Sequence, residues 1–268
     1  MKISKVSTLS TGSVRIRPEH VGPTDKSTYV WLATSKTWTP PRPINVYVVE
    51  HSDGLVLFDT GQDRASVTDP NYFPGGLNRI VYDRLATFEI APEQTLPNLL
   101  TAAGYDIADV HTAVLSHLHQ DHIGGLGDLS KARIVVADEE WRSMRRPLAA
   151  ARGYLRRHIE RPDLRWERIH YEGIDPIGPF EQGHDLLPTP GHTAGSLSML
   201  VRRTDAPPLL MVGDLTYDAE LLAAGEIPGV GKKQDLHRAV AKVNQLRELF
   251  PDLVILAAHD PAAHLALH

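Results

Sequence analysis

The chain has 268 residues, 42% hydrophobic and 23% charged, with a formal net charge of -5, 20 Gly, 20 Pro and no Cys. That apolar share suffices for a packed core and excludes wholesale disorder; no apolar run reaches the length of a membrane span, and the acidic balance disfavours a nucleic-acid partner. Without Cys there are no disulfides, thiolate nucleophiles, iron–sulfur clusters or Cys-rich zinc modules, so any transition metal must be held by carboxylates and some of the 14 His.

In chain order, residues 1–43 read as an N-terminal extension without a secretory-signal pattern, which makes the cytoplasm the default location. Pro-rich WTPPRP (Trp38 to Pro43) leads rigidly into the first convincing strand. INVYVVE (44–50) and LVLFDTG (55–61) are β-rich runs around His51-Ser52-Asp53-Gly54, a hairpin signal. Residues 62–91 lack periodicity and contain Gly, Pro, Asn and Tyr, which suits a long lid-like excursion that shapes a pocket. PEQTLPNLLTAAGYD (92–106) predicts a helix with Gly104 at its C-terminal cap. VHTAVLSH (110–117) and RIVVAD (133–138) predict strands. Nine Arg between Arg142 and Arg168 follow, interspersed with Glu and Asp. They fit a solvated helical face with internal ion pairs, or else a rim that meets an anion or a partner. SLSMLVRR and PLLMVGD predict strands, DLHRAVAKVNQLRELF (235–250) an amphipathic helix, and LVILAAH (253–259) a closing apolar strand. Hairpins and strand–helix alternation together predict an α/β fold, with mixed sheets layered by helices in one domain over 1–268. Trp31 and Trp38 serve either the core or a contact between two copies in a homodimer.

The chemistry concentrates in His117-Leu118-His119-Gln120-Asp121-His122, directly after an apolar strand and before Gly124-Gly125. Alternation at an extended strand end points His117 and His119 to one side. Three imidazoles and a carboxylate this close are costly to bury unpaired but are satisfied on a divalent ion. Three more candidates stand at strand ends or in turns beside them: His192 in TPGHTAGS, Asp214 in LLMVGD and His259 in LVILAAH. Each singly has a structural explanation; together they point to one oxygen/nitrogen metal site.

The motifs HLHQDH, PGHTAGS, GD and AAHD, with LVLFDTG upstream, resemble the metallo-β-lactamase fold superfamily, and most of all its N-acyl homoserine lactonases, the quorum-quenching lactonases. The resemblance spans about Ile44 to His259. It implies an αβ/βα four-layer sandwich of two mixed β-sheets flanked by helices, with the metals at one rim. It also implies that His117, His119 and His192 hold a first ion, that Asp121, His122 and His259 hold a second, and that Asp214 bridges them. Asp59 would orient a ligand imidazole. The metals would be zinc, with iron, manganese or cobalt as alternatives. Tyr217, three residues after Asp214, matches the lactonase tyrosine whose hydroxyl assists at the substrate carbonyl. Asp121 would carry a proton from the attacking hydroxide to the departing alkoxide. The substrate implied is a lactone or ester, with N-acyl homoserine lactone foremost. Other hydrolases of the same scaffold, acting on thioesters, other esters, lactones or amides, are the alternative, and a phosphodiesterase is a more distant one. Gln120 departs from relatives that carry an aromatic there.

Overall fold

The computed structural model describes residues 3–171, 178–181 (backbone), 184–204 and 206–267. In chain order, β1 (Lys5–Ile16) leads into the short helix α1 (Pro18–Val21) and then α2 (Thr28–Thr34), before the hairpin of β2 (Arg42–His51) and β3 (Gly54–Phe58). Next come α3 (Ala65–Thr68), α4 (Leu77–Leu85), β4 (Ala86–Glu89), α5 (Leu96–Ala102), β5 (Val110–Val114) and β6 (Arg133–Ala137). The Arg-rich stretch supplies α6 (Asp138–Arg145), α7 (Arg156–Ile159) and β7 (Arg165–Ile169). The second half adds β8 (Gly178–Glu181), β9 (His184–Pro188), β10 (Leu197–Val201), β11 (Leu209–Gly213), α8 (Ala219–Ala223), α9 (Lys233–Leu249) and β12 (Val254–Ala257).

The strands form two mixed sheets, one of seven strands ordered β4-β1-β2-β3-β5-β6-β7 and one of five ordered β12-β11-β10-β9-β8. In the first, β4 through β3 pair antiparallel and β3 through β7 parallel. In the second, β11 and β12 run parallel and the other pairs antiparallel. Period-two alternation explains the layering. Tyr47, Val49, Val56 and Phe58 face Leu186, Met199, Val201 and Met211 of the other sheet. Their neighbours Val46, Val48, Leu55 and Leu57 point the opposite way, onto Leu96 and Leu100 of α5. Leu200, Leu210 and Val212 likewise cover Leu236, Ala239, Val240 and Val243 of α9, which recur at helical spacing. The expected four-layer αβ/βα sandwich is therefore present. No helix among the described residues is long and apolar enough to cross a membrane.

Three segments differ from the sequence reading. The N-terminal extension contains β1, which lies inside the sheet between β2 and β4. Its Ser- and Thr-rich text hides a strand because only scattered positions (Val6, Thr11, Gly12, Val14, Ile16) are buried. The excursion 62–91 is not a bare loop, since it carries α3, α4 and the edge strand β4. The Arg-rich stretch is helical only in part, running through α6, a 3-10 turn at Ala150–Arg152 and α7 into the edge strand β7. Its ion pairs are real nonetheless: Arg142 meets Asp138 at 2.7 Å, Arg156 meets Glu160 at 2.8 Å and Arg161 meets Asp163 at 2.8 Å. Trp31 is fully buried, and Trp38, partly buried, lies under the Arg17 guanidinium at 3.5 Å.

The inter-sheet layer should dominate stability. Phe58→Ala, at its centre, is expected to lower the unfolding free energy by about 3–5 kcal/mol in urea titration, while Leu265→Ala on the surface should change it by about 0.5 kcal/mol or less.

Candidate active site

Five strand ends meet at one rim of the sandwich. Asp59 follows β3, His117 follows β5, His192 follows β9, Asp214 follows β11 and His259 follows β12. The structure brings together all seven residues singled out as ligands. The donor atoms of His117, His119 and His192 lie within 4.8 Å of one another, as do those of Asp121, His122 and His259 and those of His117, His122 and Asp214. Asp214 sits between the two trios. Its Oδ2 is 3.4 Å from His192 Nε2, while its Oδ1 is 3.4 Å from His122 Nε2 and 3.5 Å from His259 Nε2.

Hydrogen bonds on the outer side of the rings decide which nitrogen faces inward. His122 Nδ1 donates to Asp59 Oδ2 at 2.8 Å, and His259 Nδ1 donates to the Pro43 carbonyl at 2.9 Å, so each directs Nε2 into the site. His119 Nε2 donates to the Arg152 carbonyl at 3.0 Å, which leaves Nδ1 inward, 3.0 Å from His192 Nε2. Ser116 Oγ donates to Asp59 Oδ2 at 2.8 Å and lies 3.0 Å from His117 Nδ1, so Asp59 reaches His117 through a hydroxyl. Asp59 Oδ1 also accepts the Ser116 amide at 2.7 Å. This fully buried carboxylate occupies a left-handed backbone position, φ 62°, just after β3. Hydrogen bonding of the far ring nitrogen is how proteins fix the tautomer of a metal-binding histidine.

Other supports had no signature in the sequence. Glu140, fully buried at the start of α6, accepts the Leu118 amide at 3.1 Å and the Gly195 amide at 3.1 Å, tying the two histidine loops together. A Cβ on Gly195 would run into the Glu140 backbone, so only glycine fits there. Arg42 donates to the carbonyls of Tyr217 and His259 at 2.9 and 3.2 Å and pairs with Asp218 at 3.0 Å, bracing the loops after β11 and β12. The carbonyls of Pro43 and Arg152 are backbone atoms, invisible to any reading of side chains. His20, on α1, approaches the cluster with its ring 6.4 Å from His192 and 5.3 Å from Tyr217.

Charge is divided within the cluster. Burial and the neighbouring imidazoles of His122, His119 and His192 hold His117 well below the ordinary histidine range. Burial does the same to His192, lowered to about 3, and lowers His119. Burial also disfavours charge on His122, yet Asp214, Asp59 and Asp121 outweigh it and raise this histidine well above its usual value. His122 and His259 in turn hold Asp121 and Asp214 below the carboxylate range against their burial. Neutral imidazoles and ionised carboxylates are the forms in which these groups bind a cation, so a bound ion would displace the charge that Asp214, Asp59 and Asp121 favour on His122. Tyr217 is buried, and its hydroxyl donates to Asp214 Oδ2 at 2.9 Å. Burial and Asp214 raise its pKa well above the phenolic value. Gln120 is also buried, with its Oε1 unpartnered.

Residues 39–259 match the metallo-beta-lactamase superfamily. The chain belongs to this superfamily. Within it, the N-acyl homoserine lactonase AttM of Rhizobium radiobacter is 30% identical over 224 residues, covering 82% of this chain and 83% of AttM. An N-acyl homoserine lactonase of Bacillus sp is 30% identical over 207 residues, covering 77% of this chain and 76% of the relative. Among solved structures, a mutant of B. thuringiensis AiiA with N-decanoyl-L-homoserine at its active site superposes with TM-score 0.78 at 22% identity, over 100% of this chain and 98% of AiiA. AidC, a dizinc quorum-quenching lactonase with the product N-hexanoyl-L-homoserine, superposes with TM-score 0.65 at 18% identity, covering 98% of this chain and 90% of its own. These superpositions show a shared fold.

The side chains present fit a divalent metal. His117 Nε2, His122 Nε2 and Asp214 Oδ1 are buried without a hydrogen-bond partner, and all three belong to one convergent donor group. Buried polar atoms left unpaired are destabilising, and a cation would satisfy them together. Asp59→Asn should weaken metal binding by about 10- to 100-fold, because His122 loses its charged acceptor and His117 loses its relay. Competition with a chromophoric chelator measures this directly; unchanged affinity would remove Asp59 from the metal-supporting role.

Proposed function

We propose that this chain is a metal-dependent lactonase that opens the ring of N-acyl homoserine lactones and holds two divalent ions, zinc foremost. The observation that carries the reading is Asp214, whose two oxygens address two separate donor trios. His117, His119 and His192 would hold one ion, and Asp121, His122 and His259 the other. The lactonase relatives, matched over most of the chain, support the substrate class.

When bound, the ions supply Lewis-acid polarisation of the lactone carbonyl and lower the pKa of a water toward neutrality. The protein's own part is positioning and proton transfer. Asp121 is the more open of the two carboxylates, its side chain 18% exposed against 5% for Asp214. It therefore faces the substrate side, suited to take the proton of the attacking water and return it to the alkoxide that leaves as the ring opens. Tyr217 supplies a phenol that stays protonated. Its hydroxyl can turn from Asp214 to the lactone carbonyl oxygen, where negative charge develops as the water adds. Asp59, Ser116 and Glu140 keep the donor geometry fixed, so that little reorganisation accompanies the reaction.

A panel of metal-loaded assays tests the substrate class. N-hexanoyl homoserine lactone should be turned over with kcat/KM of about 10⁴ M⁻¹s⁻¹ or more, well ahead of a glutathione thioester and bis-p-nitrophenyl phosphate. A clear preference for the thioester or the phosphodiester would replace the lactone. Asp121→Asn should lower kcat by about 10²-fold or more at saturating metal, with a much smaller fall in bound metal measured by atomic emission. Equal losses in both would leave Asp121 a ligand only.

A further inference from the structure

His20 lies outside every convergent donor group, yet its ring is more than nine-tenths buried beside the site. It projects from α1, a helix opened by Pro18, and is enclosed by three other rings. Trp31 stands 5.9 Å away and tilted, Tyr217 presents an edge at 5.3 Å, and His192 is stacked at 6.4 Å. Trp31 is itself fully buried. The arm that carries the ring is anchored. Arg17 donates to the carbonyls of Arg84 and Thr37 at 2.9 and 3.0 Å, and Ser35 Oγ donates to Glu19 at 2.8 Å. His20 Nδ1 nevertheless has no hydrogen-bond partner. A leucine or phenylalanine would fill this aromatic niche without that penalty, so packing explains the ring but not its Nδ1.

We infer that His20 is a recognition residue that hydrogen-bonds the amide carried beside the lactone ring, and so separates N-acylated lactones from plain ones. The inference rests on the lactonase reading. If the lactone carbonyl sits over the donor cluster next to Tyr217, the amide nitrogen is attached to the adjacent ring carbon. His20, whose ring stands 5.3 Å from that of Tyr217 and 6.4 Å from that of His192, is then the neighbouring side chain for that amide. A neutral imidazole offers one donor and one acceptor, the same pair that a secondary amide presents. A plain lactone has only acceptors, and they are engaged at the reacting centre. A site built to hydrogen-bond a substrate group rejects an analogue that lacks it, because its own polar atom is left unpaired.

The test compares wild type, His20→Leu and His20→Asn, all metal-loaded, on N-hexanoyl homoserine lactone and on γ-caprolactone, which has no amide. His20→Leu should lose about 10- to 100-fold in kcat/KM on the acylated lactone, chiefly through KM, and only about 2-fold on γ-caprolactone. His20→Asn keeps a donor and an acceptor and should recover much of the difference. Metal content and melting temperature should stay at the wild-type level. Binding of the ring-opened product N-hexanoyl homoserine, read by calorimetry, should weaken in parallel in His20→Leu. Equal losses on both lactones, or none on either, would overturn the inference and leave the lactonase reading standing. A wild type that opens neither ring would overturn both. Should His20→Leu fail to fold, histidine nitrogen NMR of the wild type decides. The His20 resonance should shift with N-hexanoyl homoserine but not with 4-hydroxyhexanoate, and an unchanged resonance would overturn the proposal.

Discussion

Five imidazoles and two carboxylates face one another at the rim of this sandwich, and for four of the five rings the inward orientation depends on a hydrogen bond on the outer side. Asp59 is the main constraint. From a single backbone position after β3 it holds His122 directly, His117 through Ser116, and the Ser116 amide that turns the chain out of β5. Two further rings rely on main-chain carbonyls, Pro43 for His259 and Arg152 for His119. These acceptors belong to strands and turns with their own packing. The donor geometry is therefore a property of the fold as a whole and not of the HLHQDH segment alone.

The two halves of the sandwich are coupled through the same region. Leu197 at the start of β10 donates its amide to the Ser116 carbonyl at 2.8 Å, joining the sheets next to the ligands. Glu140 adds a second tie, bridging the loops of His119 and His192 from the N-terminal turn of α6. Its carboxylate accepts two buried amides that have no water to fall back on. Rigid support of this kind suits a reaction in which the protein mainly orients groups.

Much of this was legible in the sequence, for reasons that differ from element to element. The strands before His117, Asp214 and His259 are short apolar runs leading to a metal-binding side chain, and the strand before Asp59 leads likewise to the carboxylate that orients two of them, a pattern with few other uses. The hairpin of β2 and β3 and the helix α9 follow from turn chemistry and periodicity. β1 escaped because both of its flanks are strands and its faces are only partly covered, so Ser and Thr alternate where Val and Ile would be expected. The supports escaped for a different reason. A carbonyl at Pro43 or Arg152 has no residue type to betray it, and Glu140 reads locally as one more acidic residue at the start of a charged helix. His20 stands in a segment with no motif at all, and only tertiary packing brings it beside His192 and Tyr217.

The chain divides its labour unevenly along its length. All seven donors lie at or beyond His117, whereas the arm from β1 to α2 contributes the ring of His20, the wall of Trp31 and a sheet strand hydrogen-bonded along β2. Insertions or exchanges between α1 and α2 could thus alter what the enzyme accepts without disturbing what it binds as cofactor, provided β1 is kept. A chain shortened to begin at β2 would retain every ligand but bare the inner edge of the larger sheet. Such an edge invites pairing with a second molecule, so shortened forms would face self-association while keeping every metal-binding side chain.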